Sequence, residues 1–287
     1  MDLSIIIPNY NTKLLLERCL RSILLSLAEE AIQYEVIVVD NASKDGSLEF
    51  VRHIYPQISL LSNKTNVGYG KANNQAIRTA RGTYVLLLNS DIVVQADGIG
   101  SLYRFMLSYA RIFAGGKLHN EDGTPQPSCG PFFSLPAVLL MLFLKGDYWG
   151  ATRRSPRSIT RVDWVSGACL MGKREAFEDV GLFDEKIFMY MEEIDLLYRA
   201  KKKGYGVLFC PYAEFIHTGA ASSDNRRNPV VNIYRGLLYF YGKHYGLFSL
   251  SVLRIILKLK AYLSIWIGRF AGRTDIVSIY EKALALV

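Results

Sequence analysis

Four short apolar runs, each ending abruptly on polar residues, constrain this chain more than anything else in it. They are "LSIIIP" (3–8), "YEVIVVD" (34–40), "ISLLSN" (58–63) and "TYVLLLNSD" (83–91). Runs of this length, rich in β-branched residues and without alternation, read as strands buried on both faces. Between them lie segments of helical spacing. These are 12–28, then "SKDGSLEFVRHI" with a capping Ser or Asp at its start, then "NVGYGKANNQAIRTA" closed by Gly82. The alternation β-α-β-α-β-α-β requires a parallel sheet covered by helices on both faces.

Ligands of such sheets lie beyond the carboxyl ends of the strands. Those ends here carry Pro8-Asn9-Tyr10, Asp40-Asn41, Asn66 to Gly70, and Asn89-Ser90-Asp91. Asp91 therefore stands where a ligand belongs. A hard divalent cation accepts one carboxylate when a diphosphate brings further oxygens. The competing role is an N-cap for a following helix.

The second half is less regular. "RVDWVSGACLMGK" reads as a strand-turn around Gly167, and "REAFEDVG" as a short helix stopped by Gly181. A helix is expected from near Tyr190 to Gly204, with "YGVLFCP" and "AEFIH" as two short strands. Glu192, Glu193 and Asp195 crowd its start between apolar flanks. Acids there favour the helix dipole. Burial and like charge also raise a carboxyl pKa, which suits a general base. Residues 192 and 195 share a helix face, whereas 193 points about 100° away. His217 ends an apolar strand, either as a satisfied structural histidine or as a ligand.

The 287 residues suffice for one large domain or a domain with an appendage. Half are apolar, which excludes disorder. The net charge of +8 is local, because nine Lys or Arg and no acid fall between Arg226 and Arg273. That stretch has no apolar run of about 18 residues, so it does not read as a span. It fits a basic amphipathic helix on a membrane surface better than a nucleic-acid groove, being too aliphatic for base stacking. The run 132–144 is also too short to span, and suggests a second interfacial element or an acceptor-side lid. Four scattered cysteines form no CxxC pair, and no signal peptide precedes the first strand. Both point to a reducing, cytoplasmic setting.

Seven motifs in order, over residues 3 to 220, resemble the family 2 glycosyltransferases of the GT-A fold. They are "SIIIPNYN", "VIVVDNASKDGS", "NVGYGKANN", "LLLNSD", "WVSGACLM", "GLFDEKIFMYMEEIDLLYR" and the His of "FIHTGAAS". The chain is similar to the bacterial rhamnosyltransferase-like branch that builds cell-surface polysaccharides. The resemblance implies a Rossmann-like, mostly parallel sheet in residues 1–225. Residues 1–91 form the nucleotide half, 92–225 the acceptor half, and 226–287 a membrane-associating helical tail. It implies that Pro8, Tyr10 and Asp40 hold base and ribose, with Asp40 reading a uracil or thymine imide. Asn41, Gly68 and Asn73 shape that pocket.

Asn89-Ser90-Asp91 replaces the family's Asp-x-Asp, with Asp91 and His217 as contacts to Mn²⁺ or Mg²⁺. Trp164, Ser166 and Gly167 match the acceptor wall. The family's Glu-Asp motif falls on Glu192-Glu193, with Glu193 as base and Asp195 as support. The implied reaction is inverting transfer of a sugar from dTDP-rhamnose or a UDP-sugar. The acceptor is a saccharide or lipid-linked saccharide, whose diphosphate Arg153, Arg154, Arg157 and Arg161 would meet. The enzyme would lie peripherally on the inner face of the membrane. Two other classes fit less well. A nucleotidyltransferase needs a Gly-rich loop where "PNYNTKLLLERC" stands. A non-catalytic sugar-nucleotide or membrane-assembly protein would explain Asn89 and the double Glu as decay.

Overall fold

A computed structural model describes residues 1–219 and 229–287. The expected boundary at 225/226, Arg226, Arg227 and the end of the loop after His217 lie outside the described residues. The first half alternates as expected: β1 (Leu3–Asn9), α1 (Lys13–Ser26), β2 (Tyr34–Asp40), α2 (Ser47–Ile54), β3 (Ser59–Ser62), α3 (Tyr69–Thr79) and β4 (Tyr84–Leu88). Next come β5 (Ile92–Val94), α4 (Gly98–Leu107), β6 (Ile112–His119), β7 (Pro125–Gln126), β8 (Cys129–Gly130) and α5 (Leu135–Phe143). The site half closes with β9 (Thr160–Arg161), β10 (Trp164–Val165), β11 (Cys169–Lys173), α6 (Arg174–Val180), α7 (Glu192–Lys202) and β12 (Gly206–His217). Three helices end the chain: α8 (Pro229–His244), α9 (Leu247–Phe270) and α10 (Thr274–Leu284).

The main sheet runs β3-β2-β1-β4-β11-β6-β12-β5. Its first four strands are mutually parallel, and β12 is parallel to β6. β11 is antiparallel to both its neighbours, and β5 to β12. Strand order reverses at β1, the position where open α/β sheets leave a crevice. Register sets the polar strand ends side by side, with Asn9 opposite Asp40 and Asp40 opposite Ser62.

Successive strand residues feed two cores. Ile5, Ile7, Val36, Val38, Leu86 and Leu88 pack with α1 and α4. Ile6, Ile37, Val39, Val85 and Leu87 face α3, α6, α7 and the C-terminal α8 and α9.

Three local expectations change. β12 is one strand rather than two, with a register shift between Cys210 and Glu214. α3 ends at Thr79, and Gly82 instead lies against β1, where a Cβ would clash with the Ser4 nitrogen. Asp91 leads into strand β5, so it caps no helix.

Candidate active site

The crevice at the strand ends is a cavity of about 220 Å³. Pro8 from β1, the Asn89-Ser90-Asp91 turn, Ser166-Gly167 and the start of α7 line it. The turn is fixed from below. Thr12 Oγ1 donates to Asn9 Oδ1 at 2.6 Å and lies 2.8 Å from Ser90 Oγ, which leaves Ser90 the donor of that pair. The Asn89 N–H donates to the Ala168 carbonyl at 3.1 Å. Asp91 is buried, as a strand-end carboxylate facing a crevice rather than solvent should be.

His217, from the end of β12, stands over Asp91 with Nε2 3.3 Å from Oδ1. Its tautomer follows from its neighbours. Gln126 Nε2 donates to the carbonyls of Asn120 (side chain) and His217 (backbone), so Gln126 Oε1 is an acceptor, and it lies 2.7 Å from His217 Nδ1. Nδ1 therefore carries the proton. Asn89 Nδ2 lies 3.2 Å from Nε2 and donates to it. The His217 Nε2 and the Asp91 carboxylate then face each other, a pair of ligand types that suits a divalent cation. Among the described residues no cluster of three His, Cys, Asp or Glu surrounds such a site. The two protein groups fit a cation that takes its other oxygens from a diphosphate and water.

Across the cavity, α7 begins after two successive left-handed residues, Tyr190 (φ 66°) and Met191 (φ 76°). Left-handed backbone in bulky residues is costly and concentrates at functional sites. Glu192 is buried, and its Oε2 has no hydrogen-bond partner. Burial, and then the charge of Glu193, push its pKa well above the ordinary value. Burial raises Glu193 also, against backbone donors and the Arg153 guanidinium, which pull it down. Glu192, buried with an unpartnered oxygen, therefore favours the neutral acid more strongly than Glu193, which has backbone donors and the Arg153 guanidinium beside it.

Glu193 also borders a second cavity of about 270 Å³, lined mainly by apolar chains including Phe133, Met141, Trp164, Ile233 and Leu237. Arg153 borders both cavities and lies over the Trp164 ring at 5.4 Å. Trp164 is locked by its Nε1–H donating to the Pro131 carbonyl at 2.8 Å.

The expected residues thus divide. Pro8, Asn89, Ser90, Asp91, Ser166, Gly167, Glu192, Glu193 and His217 converge on the first cavity, and Trp164 on the second. Asp40, Asn41 and Tyr10 stand to one side on the β1–β2 edge. Asp40 accepts from Asn9 Nδ2 and the Ser43 N–H, each at 3.0 Å. Gly68 opens α3 at φ +87°, and a Cβ there would meet the Phe188 carbonyl oxygen at 2.6 Å. Asn73 is buried and donates to the Tyr69 carbonyl, while its own Oδ1 has no partner.

Asp195 parts from Glu192 despite the shared face and binds Arg199, Lys243 and His244 instead. Of the four arginines, Arg153 alone borders these cavities. Arg154 and Arg161 line a separate cleft with Lys201.

Three contributors carried no role in the sequence reading. Tyr69 lines the cavity, and its hydroxyl donates to the Gly167 carbonyl at 2.6 Å. Burial, then the Glu192 and Glu193 charges, push that hydroxyl well above its ordinary pKa. Its place in "NVGYGKANN" was the available signal. Gln126, which orients His217, and Thr12, which holds Ser90, have no sequence signal, because both act through tertiary contacts.

The sequence model for glycosyl transferase family 2 matches residues 4–181. The chain belongs to this family. It is a glycosyltransferase of the rhamnosyltransferase-like branch, which works in cell-surface polysaccharide synthesis. It is 34% identical over 237 residues to the N-acetylglucosaminyl-diphospho-decaprenol L-rhamnosyltransferase of Mycobacterium tuberculosis, covering 76% of each chain. It is 28% identical to rhamnosyltransferase WbbL of Escherichia coli, over 73% of this chain and 81% of that one. Among solved structures, S. aureus TarS superposes with a TM-score of 0.55 at 17% identity, over 95% of this chain and 43% of that chain. GalNAc-T7, solved with UDP, GalNAc and Mn²⁺, gives 0.58 at 17%, over 84% and 50%. These two likenesses show the fold, a GT-A arrangement of sheet and helices.

Proposed function

We propose that this glycosyltransferase moves a sugar, with inversion, from a pyrimidine nucleoside diphosphate to a hydroxyl of a lipid-linked saccharide. One observation carries this reading. Glu193 sits at the junction of a polar cavity under Asp91 and His217 and an apolar cavity under Trp164. The donor occupies the first, with its base toward Tyr10, Asp40 and Asn41, in the pocket shaped by Gly68 and Asn73. The acceptor hydroxyl arrives from the second, past Trp164, and meets Ser166 and Gly167 on the wall of the first. Glu193 takes the hydroxyl proton as that oxygen bonds to the anomeric carbon. The nucleoside diphosphate leaves from the opposite face with the bonding electron pair, through an oxocarbenium-like state. Arg153 lies within the same site as a cation for a diphosphate. Asp91 and His217 would hold Mn²⁺ or Mg²⁺, which supplies positive charge to the departing diphosphate. Asp195 supports α7 from behind.

The mycobacterial relative's name speaks of a diphospho-decaprenol carrier, which favours a lipid-linked acceptor, and of rhamnose, which favours dTDP-rhamnose over a UDP-sugar as donor. The enzyme would then work at the inner face of the cell membrane, with residues 1–225 as the catalytic part. The helices after 226 would lie on the lipid. No described helix is long and apolar enough to cross a membrane.

Thermal melting with UDP, dTDP, GDP and ADP, each with and without Mn²⁺, tests the donor half. A ligand that binds only the folded state raises the melting temperature. The expected outcome is a shift that needs both a pyrimidine diphosphate and the metal and is absent in Asp91→Ala. No shift with any nucleotide would favour a non-catalytic protein that keeps the fold alone.

A further inference from the structure

α9 is apolar on two opposed sides. Leu253, Ile256, Leu257, Ala261 and Ile265 are buried in contact with the body. Ile255, Leu259, Tyr262, Leu263, Trp266 and Phe270 recur at three- and four-residue steps along the other side, and all are exposed. Trp266 is 67% and Phe270 89% accessible, far more than scattered surface apolar residues require. Arg254 and Lys258 flank this stripe, and α9 contains no Asp or Glu. Arg269, at its end, pairs with Glu281 of α10.

A second segment, more than a hundred residues earlier in the chain, lies against the same helix. α5 packs on α9, and Lys260 Nζ sits 5.6 Å from the Phe143 ring centre. α5 and the turn after it expose Leu139, Leu140, Leu144, Tyr148 (79%) and Trp149 (75%). This turn is held in shape rather than loose. Gly146 donates to the Leu140 carbonyl at 2.9 Å, Ala151 to the Gly146 carbonyl at 2.9 Å, and Thr152 Oγ1 to Asp147 Oδ1 at 2.5 Å. A fastened turn that turns two aromatics outward has a surface in view. Asp147 of the turn and Arg153 just after it wall the apolar cavity behind Glu193.

We infer that α5, the 144–149 turn and the outer side of α9 form one composite face that docks on an anionic lipid bilayer. The inference rests on the membrane part of the functional reading and deepens it: docking needs both segments, and the turn brings the lipid surface to the wall of the acceptor cavity. Tryptophan and tyrosine suit the bilayer interface, and flanking cations suit anionic headgroups. A second copy of the chain is a poorer occupant, because α9 carries cations and no acid and so offers its own copy no counter-charge.

Flotation of the full chain with vesicles tests this, using phosphatidylcholine alone and phosphatidylcholine mixed with phosphatidylglycerol. The wild type is expected to float with the mixed vesicles. Tyr148→Ser/Trp149→Ser and Leu259→Ser/Trp266→Ser should each lower partitioning roughly tenfold or more, since each removes two interfacial side chains. Arg254→Gln/Lys258→Gln should lose the preference for the anionic vesicles. If the turn variant partitions like the wild type while the α9 variant does not, the composite face is wrong and α9 docks alone. If the wild type floats with neither vesicle, the membrane reading falls as well. A wild-type dimer in sedimentation that either serine variant makes monomeric would identify a self-interface and overturn the inference. The nucleotide-dependent melting shift is measured on every variant. Its retention shows an intact fold, and its absence in the wild type would count against the donor site, not against docking.

Discussion

At the scale of single residues, the proposed chemistry rests on the acidic pair at the head of α7. Glu192 is the more enclosed, and its unpartnered oxygen favours the neutral acid. Glu193 meets both cavities and a guanidinium. Neutralising each should therefore differ in effect. Glu193→Gln should lower turnover by about 10²–10⁴-fold, the usual contribution of a general base, with nucleotide binding intact. Glu192→Gln should keep most of the turnover and alter stability instead. Folded Glu192 retains a proton that the unfolded chain releases near the ordinary value, about pH 4.3. The wild type thus loses stability as pH rises above that value, until Glu192 itself ionises. Melting curves should show Glu192→Gln matching the wild type near pH 4 and exceeding it by a few degrees at pH 8. Equal melting temperatures at both pH values would place the proton elsewhere.

At the scale of elements, the joint between α7 and α8 holds the acidic pair in place. Asp195 is fully buried and accepts from Arg199 Nε at 2.8 Å, Lys243 Nζ at 2.8 Å and His244 Nε2 at 2.6 Å. Lys243 also meets Asp184, which accepts from the Tyr239 hydroxyl as well. Burial works against the ionised form of both acids; at Asp195 the Arg199 charge and then hydrogen bonds from Lys243 and His244 outweigh it, and at Asp184 hydrogen bonds from Lys243, the Lys186 N–H and Tyr239 bring the pKa down to about 2. Gly236 of α8 leaves room for Met191, whose Cγ would lie 2.7 Å from an added Cβ. The residue that introduces α7 is thus seated by the C-terminal helices. Asp195→Asn would leave the part-buried Arg199 and Lys243 without their counter-charge, at a cost of about 1.5–3 kcal/mol in urea unfolding at pH 7. The deficit should shrink as pH falls below the ordinary aspartate value, where the wild-type carboxylates protonate too. A variant within 1 kcal/mol of the wild type at pH 7 would mean that the joint contributes little.

At the scale of the whole molecule, the helices after residue 226 look like an appendage in the sequence, and the basic, acid-free stretch 226–273 encourages that view. Their inner faces nevertheless enter the larger core. Tyr234, Leu237, Phe240, Tyr241, Leu253 and Leu257 are buried in the same cluster as Trp164 and Phe132. The Tyr241 hydroxyl reaches the Phe133 carbonyl at 2.7 Å. A shared core predicts shared unfolding. Far-ultraviolet circular dichroism and tryptophan fluorescence should report one coincident transition. A chain ending at residue 225 should aggregate, because it uncovers that apolar face. Two separated transitions would make the tail an independent unit.

The sequence by itself determined the nucleotide half of the sheet, because a strand buried on both faces must be continuously apolar and must end where polar groups begin. β1, β2 and β4 and their polar ends follow from that rule, whereas β3, a part-exposed edge strand, does not. The same rule placed Asp91, and the motif order placed Glu192, Glu193, Trp164 and His217. Tertiary structure alone decided how these residues divide the work. Asp195 was separated from Glu192 by partners some fifty positions away on α8. Gln126 chose the tautomer of His217, Arg153 rather than Arg154 or Arg161 reached the site, and α9 acquired two apolar sides. Each outcome depends on which distant groups meet in space, and local periodicity holds no record of such meetings.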